Sequence, residues 1–529
     1  MSALWASEVN MSQRSLWGWG RTDAALPLDE VRGRVEGFFG PLDEAHPAAP
    51  RVPPPRVERA ALDFITQDAT DRAAHALGKS YPDRVRGFAG DFSTAPDLVA
   101  RPTTEAQVAQ VFEFAERERL SVTPFGGGSS VVRGVEPTLG PNHRGALTLD
   151  LAQLRGVHEV DDVSRLARIG AGTFGPELER ALGAHHLTLR HFPQSFEFST
   201  LGGWVATRAG GHFATVLTHI DDLVHSVRML TPRGLWQTRS VPASGAGPDP
   251  ARLVIGSEGT LGVITEAWLR VRPKPTHRAG ASVFFTDFTQ AVAATRAISQ
   301  ADLAPANCRL LDTAEAFING VSGDGSSVLV LGFESADHPV LASLERALAL
   351  AREHGGTCPE GAKQRATVGA GDAADTWRTS FLKGPYLQDA LLRLGVLADT
   401  FETACTWKQF PTLYAEVRGA MEAALERVCG SSGVVSCRFT HVYPDGPAPY
   451  FTFLGKARRG AELEQWTELK AVASDTLSRC GGTITHHHAV GRTHRPWYDR
   501  ERPELFARAL RAVKAELDPA GLLNPGVLL

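Results

Sequence analysis

Three consecutive histidines, His486, His487 and His488, follow a strand-like Thr483-Ile484-Thr485 segment. Imidazole titrates near 6.5, so adjacent rings can divide acid and base duties in a proton transfer. If the strand continues through them, His486 and His488 face one way and His487 the other. An H-x-H pair can ligate a metal, but no third ligand follows at a recognisable spacing, and no metal is expected. The plain alternative is a packed structural cluster.

Glycine marks a second place where chemistry can occur. Of 52 glycines, 21 fall in residues 121–275, and glycine is favoured where main chain approaches a ligand. Pro124, Phe125, Gly126, Gly127, Gly128, Ser129 and Ser130 follow a strand. Three glycines and two hydroxyl residues can turn successive N–H groups into a nest for phosphate oxygens. The Gly-Lys-Ser/Thr ending of a triphosphate-binding loop is missing. Two later blocks repeat the theme: Gln194, Ser195, Phe196, Glu197, Phe198, Ser199 and Thr200, leading to Gly203, Thr207, Arg208, Ala209 and Gly210, and then Glu258, Gly259, Thr260, Leu261, Gly262, Val263 and Ile264. Their small side chains let a flat cofactor lie on backbone while hydroxyls and N–H groups supply directional bonds. A literal G-x-G-x-x-G at Gly170–Gly175 lacks the acidic residue expected about twenty positions on, and reads as strand-on-helix packing.

In this order, the blocks resemble the FAD-binding domain of vanillyl-alcohol oxidase type flavoproteins, seen also in D-lactate dehydrogenase and glycolate oxidase. The ending LDPAGLLNPG looks like the closing segment of that group. Closer still is a resemblance to the alkyldihydroxyacetonephosphate synthases, which make the ether bond of ether lipids. It is carried by Trp17-Gly-Trp-Gly20, Glu197–Val205, Phe401-Glu-Thr-Ala-Cys-Thr-Trp407 and Thr485-His-His-His-Ala-Val-Gly491. The resemblance implies FAD as cofactor, with no histidine in 124–134 to tether it. It implies exchange of the acyl group of acyl-dihydroxyacetone phosphate for a fatty alcohol, with no net redox change. Tyr450 then falls on the residue that takes the proton from C1. His191, Arg309 and the three histidines fall on functional positions, and Thr200 on one that contacts flavin. A phenol with pKa near 10 needs a partner to accept its proton, and the histidines are placed to serve. The family's phosphate-binding arginine falls on Gln388. A neutral amide there forfeits a charged hydrogen bond of about 1.5–3 kcal/mol; either Lys383 or Arg378 replaces it, or the protein takes a different, less anionic substrate on the same chemical frame. Arg393 is turned some 140° away at about 100° per residue along a helix. The rival reading is an FAD-dependent oxidoreductase of a 2-hydroxy acid or alcohol; a flavin-binding protein without activity is a third.

Alternating helix and strand periods from Pro96 predict a mixed α/β FAD-binding domain over 96–275. Residues 1–95 read as an N-terminal arm and linker, with the proline-rich 41–56 inside it. From 276 to 529, strand pairs separated by long helices predict a substrate domain with an antiparallel sheet covered by helices, whose C-terminal segment returns to the flavin. The class is α+β. The 529 residues are 43% apolar and 22% charged, with a net charge of −4, which excludes a disordered chain and gives no global attraction to nucleic acid. Six scattered cysteines fit a reducing compartment, and 47 arginines against 8 lysines suggest a GC-rich, bacterial genome. A cytoplasmic homodimer is expected, working peripherally at a membrane because its lipid substrates carry long chains.

Overall fold

The computed structural model describes residues 14–58, 60–213, 215–364 and 373–529. A four-stranded sheet is ordered Ile65–Thr66, Leu98–Ala100, Gly145–Asp150, Leu120–Phe125, its last three strands parallel. Residues ahead of 96 thus contribute a strand, and also the helices Ala69–Ala74 and Tyr81–Phe88. The helix Glu105–Glu118 starts at Thr104, whose side chain accepts the Gln107 N–H, which satisfies one of the orphan donors of the first turn. Its Val108, Val111, Phe112 and Ala115, at helical spacing, are buried with Leu120, Val122 and Leu147 of the sheet. The strand Leu120–Phe125 is the sheet's edge, and the C-terminal tail covers it: Val122 donates to Leu522 O and Asn524 to Val122 O, both at 2.8 Å. Beside this lies a five-stranded antiparallel sheet, Val157–Asp161, Leu166–Gly170, Val263–Arg270, Val224–Thr231 and Gly234–Gln237.

The rest of the chain is built on a seven-stranded antiparallel sheet, ordered Lys363–Gln364, His277–Phe285, Ser327–Ser335, Asn307–Leu311, Val434–Val442, Pro447–Lys456 and Val396–Glu402. Its apolar face packs on helices. Phe401, Cys437, Phe451 and Phe453 join Leu413, Val417 and Met421 of the helix Phe410–Cys429 and Leu469, Ala473 and Leu477 of the helix Glu462–Arg479 in one core. Alternation along a strand then sends Thr400, Glu402, Arg438 and Tyr450 to the opposite face, and all but the half-buried Thr400 are under 9% exposed. A buried polar face is costly unless it is hydrogen-bonded or binds something. The α+β architecture is the one the periodicity predicts. The G-x-G-x-x-G at 170–175 is packing, as expected: a Cβ on Gly172 would lie 2.1 Å from Leu151 O and one on Gly175 2.5 Å from the Phe196 ring.

Candidate active site

Strand register assembles the centre of the site. Glu402 pairs with Tyr450, and Tyr450 with Arg438 across the next strand, so three chemically able side chains stand in one row. The Tyr450 hydroxyl donates to Thr400 Oγ1 at 2.9 Å, and the Arg438 guanidinium carbon lies 3.9 Å above its ring. Arg438 is held in turn by Glu315, 2.5 Å from Nη1. Burial pushes the phenol above its usual value, against the opposing pull of Arg438 and the Thr400 bond, so the resting side chain is neutral at pH 7. The proton partner expected among the histidines is not in direct contact: the rings of His488 and His487 are 5.4 and 6.0 Å from that of Tyr450, centre to centre.

Glu402 organises the histidine segment. One carboxylate oxygen accepts the main-chain N–H groups of His486, His487 and His488, each at 2.9 Å, and the Thr485 hydroxyl at 2.7 Å. The other oxygen is 2.9 Å from His487 Nδ1. Burial works to raise this carboxyl's pKa, yet His487 and His488 hold it well below the usual range. Converging N–H groups require a bend, and residues 486–488 are not strand. The alternating-face expectation is therefore corrected. His487 and His488 line the cavity beside Tyr450, whereas His486 turns behind them, its Nε2 2.8 Å from the Tyr443 hydroxyl. His441 supplies a third imidazole that spacing along the chain does not reveal, with a ring nitrogen within 4.8 Å of those of His486 and His487; its Nε2 lies 3.1 Å from Gly211 O.

Arg309 lines the same cavity, donates to His212 O at 3.2 Å, and is pulled down to about 9 by burial and by Arg438. His191 does not reach the cavity wall. It is 1% exposed, with neither ring nitrogen hydrogen-bonded, and lies 5.1 Å from Trp204, which does line it. Gln388 is on the wall. Of the residues expected to compensate for it, Lys383 is exposed and the side chain of Arg378 lies outside the described residues. Arg393 is bound to Glu44 at 2.8 Å, turned away as its helical offset requires.

The cavity, of about 210 Å³, runs from this polar face to the glycine blocks, with Gly126–Ser130, Gln194, Ser195, Thr200, Gly203, Thr207, Ala209 and Gly210 on its far side. A neighbouring pocket shares Gly126, Ser130 and Thr200 and extends it past Pro124, Phe125, Glu258, Gly259, Gly262, Val263 and Ile264. The blocks form one floor: a Cβ on Gly126 would meet Thr200 Oγ1 at 2.3 Å, and one on Gly127 would meet Phe198 O at 1.8 Å. Glu258, pushed up to about 7 by burial, accepts the N–H groups of Val490 and Gly491, which fastens the histidine segment onto this floor. Six of the residues expected at the cofactor lie off both pockets. Phe196 and Leu261 are in the hydrophobic core, Phe198 meets Gly127 through its carbonyl, Arg208 pairs with Asp221 at 3.0 Å, Thr260 bonds Ser257 O, and Glu197 is beside the cavity segment without lining it.

Small walls, hydroxyls and main-chain donors fit a dinucleotide with a flat ring. Gly127→Ala should abolish cofactor retention, since the added methyl has no space against backbone; absorbance of the purified protein near 450 nm tests this, and full flavin content would contradict the packing.

Acid sensitivity follows from the buried imidazoles. Burial drives His191 down to about 3 and His494 to about 4, and His441, His486 and His488 well below the ordinary value. These groups stay neutral when folded but take up protons when unfolded below about pH 6.5. Their contribution is therefore complete above pH 6.5 and is lost as pH falls toward their folded values. The midpoint of thermal unfolding should drop steeply between pH 7 and pH 5; a flat profile would mean that the rings are solvated.

Residues 96–239 match the family described as FAD binding domain, and residues 274–528 match FAD linked oxidases, C-terminal domain. Over 97% of this chain, the protein is 29% identical to alkyldihydroxyacetonephosphate synthase of Dictyostelium discoideum, covering 87% of that protein, and 29% identical to that of Caenorhabditis elegans, covering 94%. A solved alkyldihydroxyacetonephosphate synthase superposes with a TM-score of 0.80 at 25% identity, covering 98% of both chains. FAD is the cofactor that the glycine floor accommodates. With both flavoprotein domains matched, the chain is similar over nearly its full length to the alkyldihydroxyacetonephosphate synthases among FAD-binding flavoproteins.

Proposed function

We propose that the protein exchanges the fatty acyl group of acyl-dihydroxyacetone phosphate for a long-chain alcohol, releasing the fatty acid and leaving an ether, with no net oxidation. The observation that carries this reading is that Arg438 and Tyr450, with His487 and His488 held by Glu402, face the glycine floor across one cavity. FAD held on the glycine floor would supply the electrophile for the exchange, with no net redox change. Tyr450 is the group placed to take the C1 proton. Its phenol is raised by burial, so it acts only when the proton on its own oxygen can leave, through Thr400 and the neighbouring imidazoles. Arg438, 3.9 Å over the ring, favours the phenolate that must form. His487 and His488 are held in position by Glu402, and His487, whose Nδ1 is 2.9 Å from that carboxylate, can store the proton until the alcohol's oxygen has bonded to C1 and the leaving carboxylate has gone. Arg309 completes a cationic wall suited to the departing carboxylate. Long-chain substrates imply work at a lipid surface, and no described helix is long and apolar enough to cross a membrane.

The test is to incubate the purified yellow protein with acyl-dihydroxyacetone phosphate and hexadecanol and to search for an alkali-stable glycerolipid. Its formation supports the exchange. Rapid dye reduction by a 2-hydroxy acid, with no ether formed, would replace this reading by the oxidoreductase one.

A further inference from the structure

One corner of the cavity is built from hydrogen-bond donors that the exchange itself does not use. It lies where the helix Tyr81–Phe88 meets the Trp17–Gly20 segment and the helix that carries Gln388 and Asp389. Arg84 is 1% exposed, and its Nε and Nη1 have no hydrogen-bond partner; the indole Nε1 of Trp19 is likewise buried without one. Lys79, 6% exposed, and the Gln388 amide are on the same wall. Two carboxylates share the corner, each with one oxygen engaged and the other, Asp83 Oδ1 and Asp389 Oδ1, without a hydrogen-bond partner. Asp83 accepts the Ser80 hydroxyl at 2.7 Å. Asp389 accepts the Trp19 N–H at 2.6 Å and lies 3.8 Å from Arg84 Nη1. Arg14 adds a further cation, acting on Lys79. Burial and Arg14 pull the Lys79 ammonium down to about 7, against the opposing pull of Asp389 and Asp83. Three cations, Arg14, Lys79 and Arg84, against two carboxylates, together with buried donors that lack acceptors, carry a cost that a bound anion would relieve.

We propose that Lys79 and Arg84, with the Gln388 amide and the Trp19 indole, form the subsite for the phosphate monoester of the three-carbon substrate. The inference rests on the function proposed above. Two phosphate sources are within reach, because the Lys79 N–H also bonds Ser130 O at 2.6 Å at the end of the glycine loop. The substrate is favoured. The glycine loop has its own main-chain donors for a cofactor phosphate, whereas Gln388 and Pro385 approach this corner from the substrate side, along with Thr400 and Tyr450. Among the described side chains of the helix that bears Gln388, Lys383 is exposed and Arg393 is tied to Glu44. A lysine and an arginine brought from residues 79–84 thus supply the charge that the amide at 388 lacks.

The experiment titrates the holoenzyme with dihydroxyacetone phosphate, dihydroxyacetone and inorganic phosphate, read by the flavin difference spectrum, with flavin content measured in parallel. Wild-type protein should prefer the phosphate ester. Lys79→Met should weaken that ester and inorganic phosphate by about ten- to hundredfold, the loss expected of a charged hydrogen bond, and leave dihydroxyacetone and FAD content unchanged. Adding Gln388→Arg to Lys79→Met should restore most of the loss, which a merely structural role for Lys79 would not allow. Arg84 packs over Tyr81, and its milder variant Arg84→Lys should give a smaller loss of the same kind. Loss of FAD in a folded Lys79→Met protein would assign the corner to the cofactor and overturn the proposal, as would equal weakening of dihydroxyacetone. Lys79-dependent binding of inorganic phosphate, with no binding of the three-carbon ester, would keep an anion site and sink the function on which its assignment rests.

Discussion

Tyr450→Phe is expected to lower turnover by about 10²- to 10⁴-fold, the usual contribution of a positioned general acid or base, while FAD stays bound. The substitution removes one hydroxyl, whose partner is Thr400 at 2.9 Å. The ring, its contact with Arg438 and the sheet pairing all survive. Stability should change by only about 0.5–1.5 kcal/mol, the net value of one hydrogen bond. The change should fall on kcat and leave the phosphate subsite's affinity intact. Near-normal turnover would remove Tyr450 from proton transfer and shift the role to His487 or His488, imidazoles that line the cavity close to its ring.

Glu402→Gln should be the more damaging change to the protein as a whole. The carboxylate is 1% exposed, gathers three main-chain N–H groups and a hydroxyl, and lies against His487. An amide of the same shape keeps an acceptor but not the charge. Hydrogen bonds to a charged acceptor contribute about 1.5–3 kcal/mol. A fall of that size in unfolding free energy is expected, together with a kcat loss of at least tenfold in the protein that remains folded. Glu402→Asp should recover part of the activity if positioning is the role, since it keeps the charge and shortens the reach. Full activity in Glu402→Gln would show that the histidine segment holds its bend without the carboxylate.

Much of this site was legible from residue types, and its assembly was not. The pattern Ser-Val-Thr-Pro-Phe before three glycines reads as a strand running into a nest, and the structure has Leu120–Phe125 leading to Gly126–Gly128. Tyr450 sits in a segment that alternates like a strand and is one. Its row with Arg438 and Glu402 depends on the register of three strands separated in sequence, which local periodicity does not contain. Glu402 was visible only inside the Phe401–Trp407 motif, at the end of a strand that follows directly on Gly395, a left-handed residue at φ +74°. The histidines misled for a physical reason. Alternation presumes an extended chain, and a single buried carboxylate bends this one. Lys79 and Arg84 stood in a stretch read as arm and linker, yet a capping box between Ser80 and Asp83 starts a helix there and turns both cations inward.

The most direct test of the central claim follows the oxygen atom and the electrons together. Under anaerobic conditions, the holoenzyme is given acyl-dihydroxyacetone phosphate and ¹⁸O-labelled hexadecanol, with the flavin spectrum recorded through many turnovers. The account predicts that the label is retained in the ether, that one fatty acid is released per ether formed, and that the flavin is oxidised again at the end with no acceptor present. Ether formation that stops after one turnover unless oxygen or a dye is supplied would contradict it.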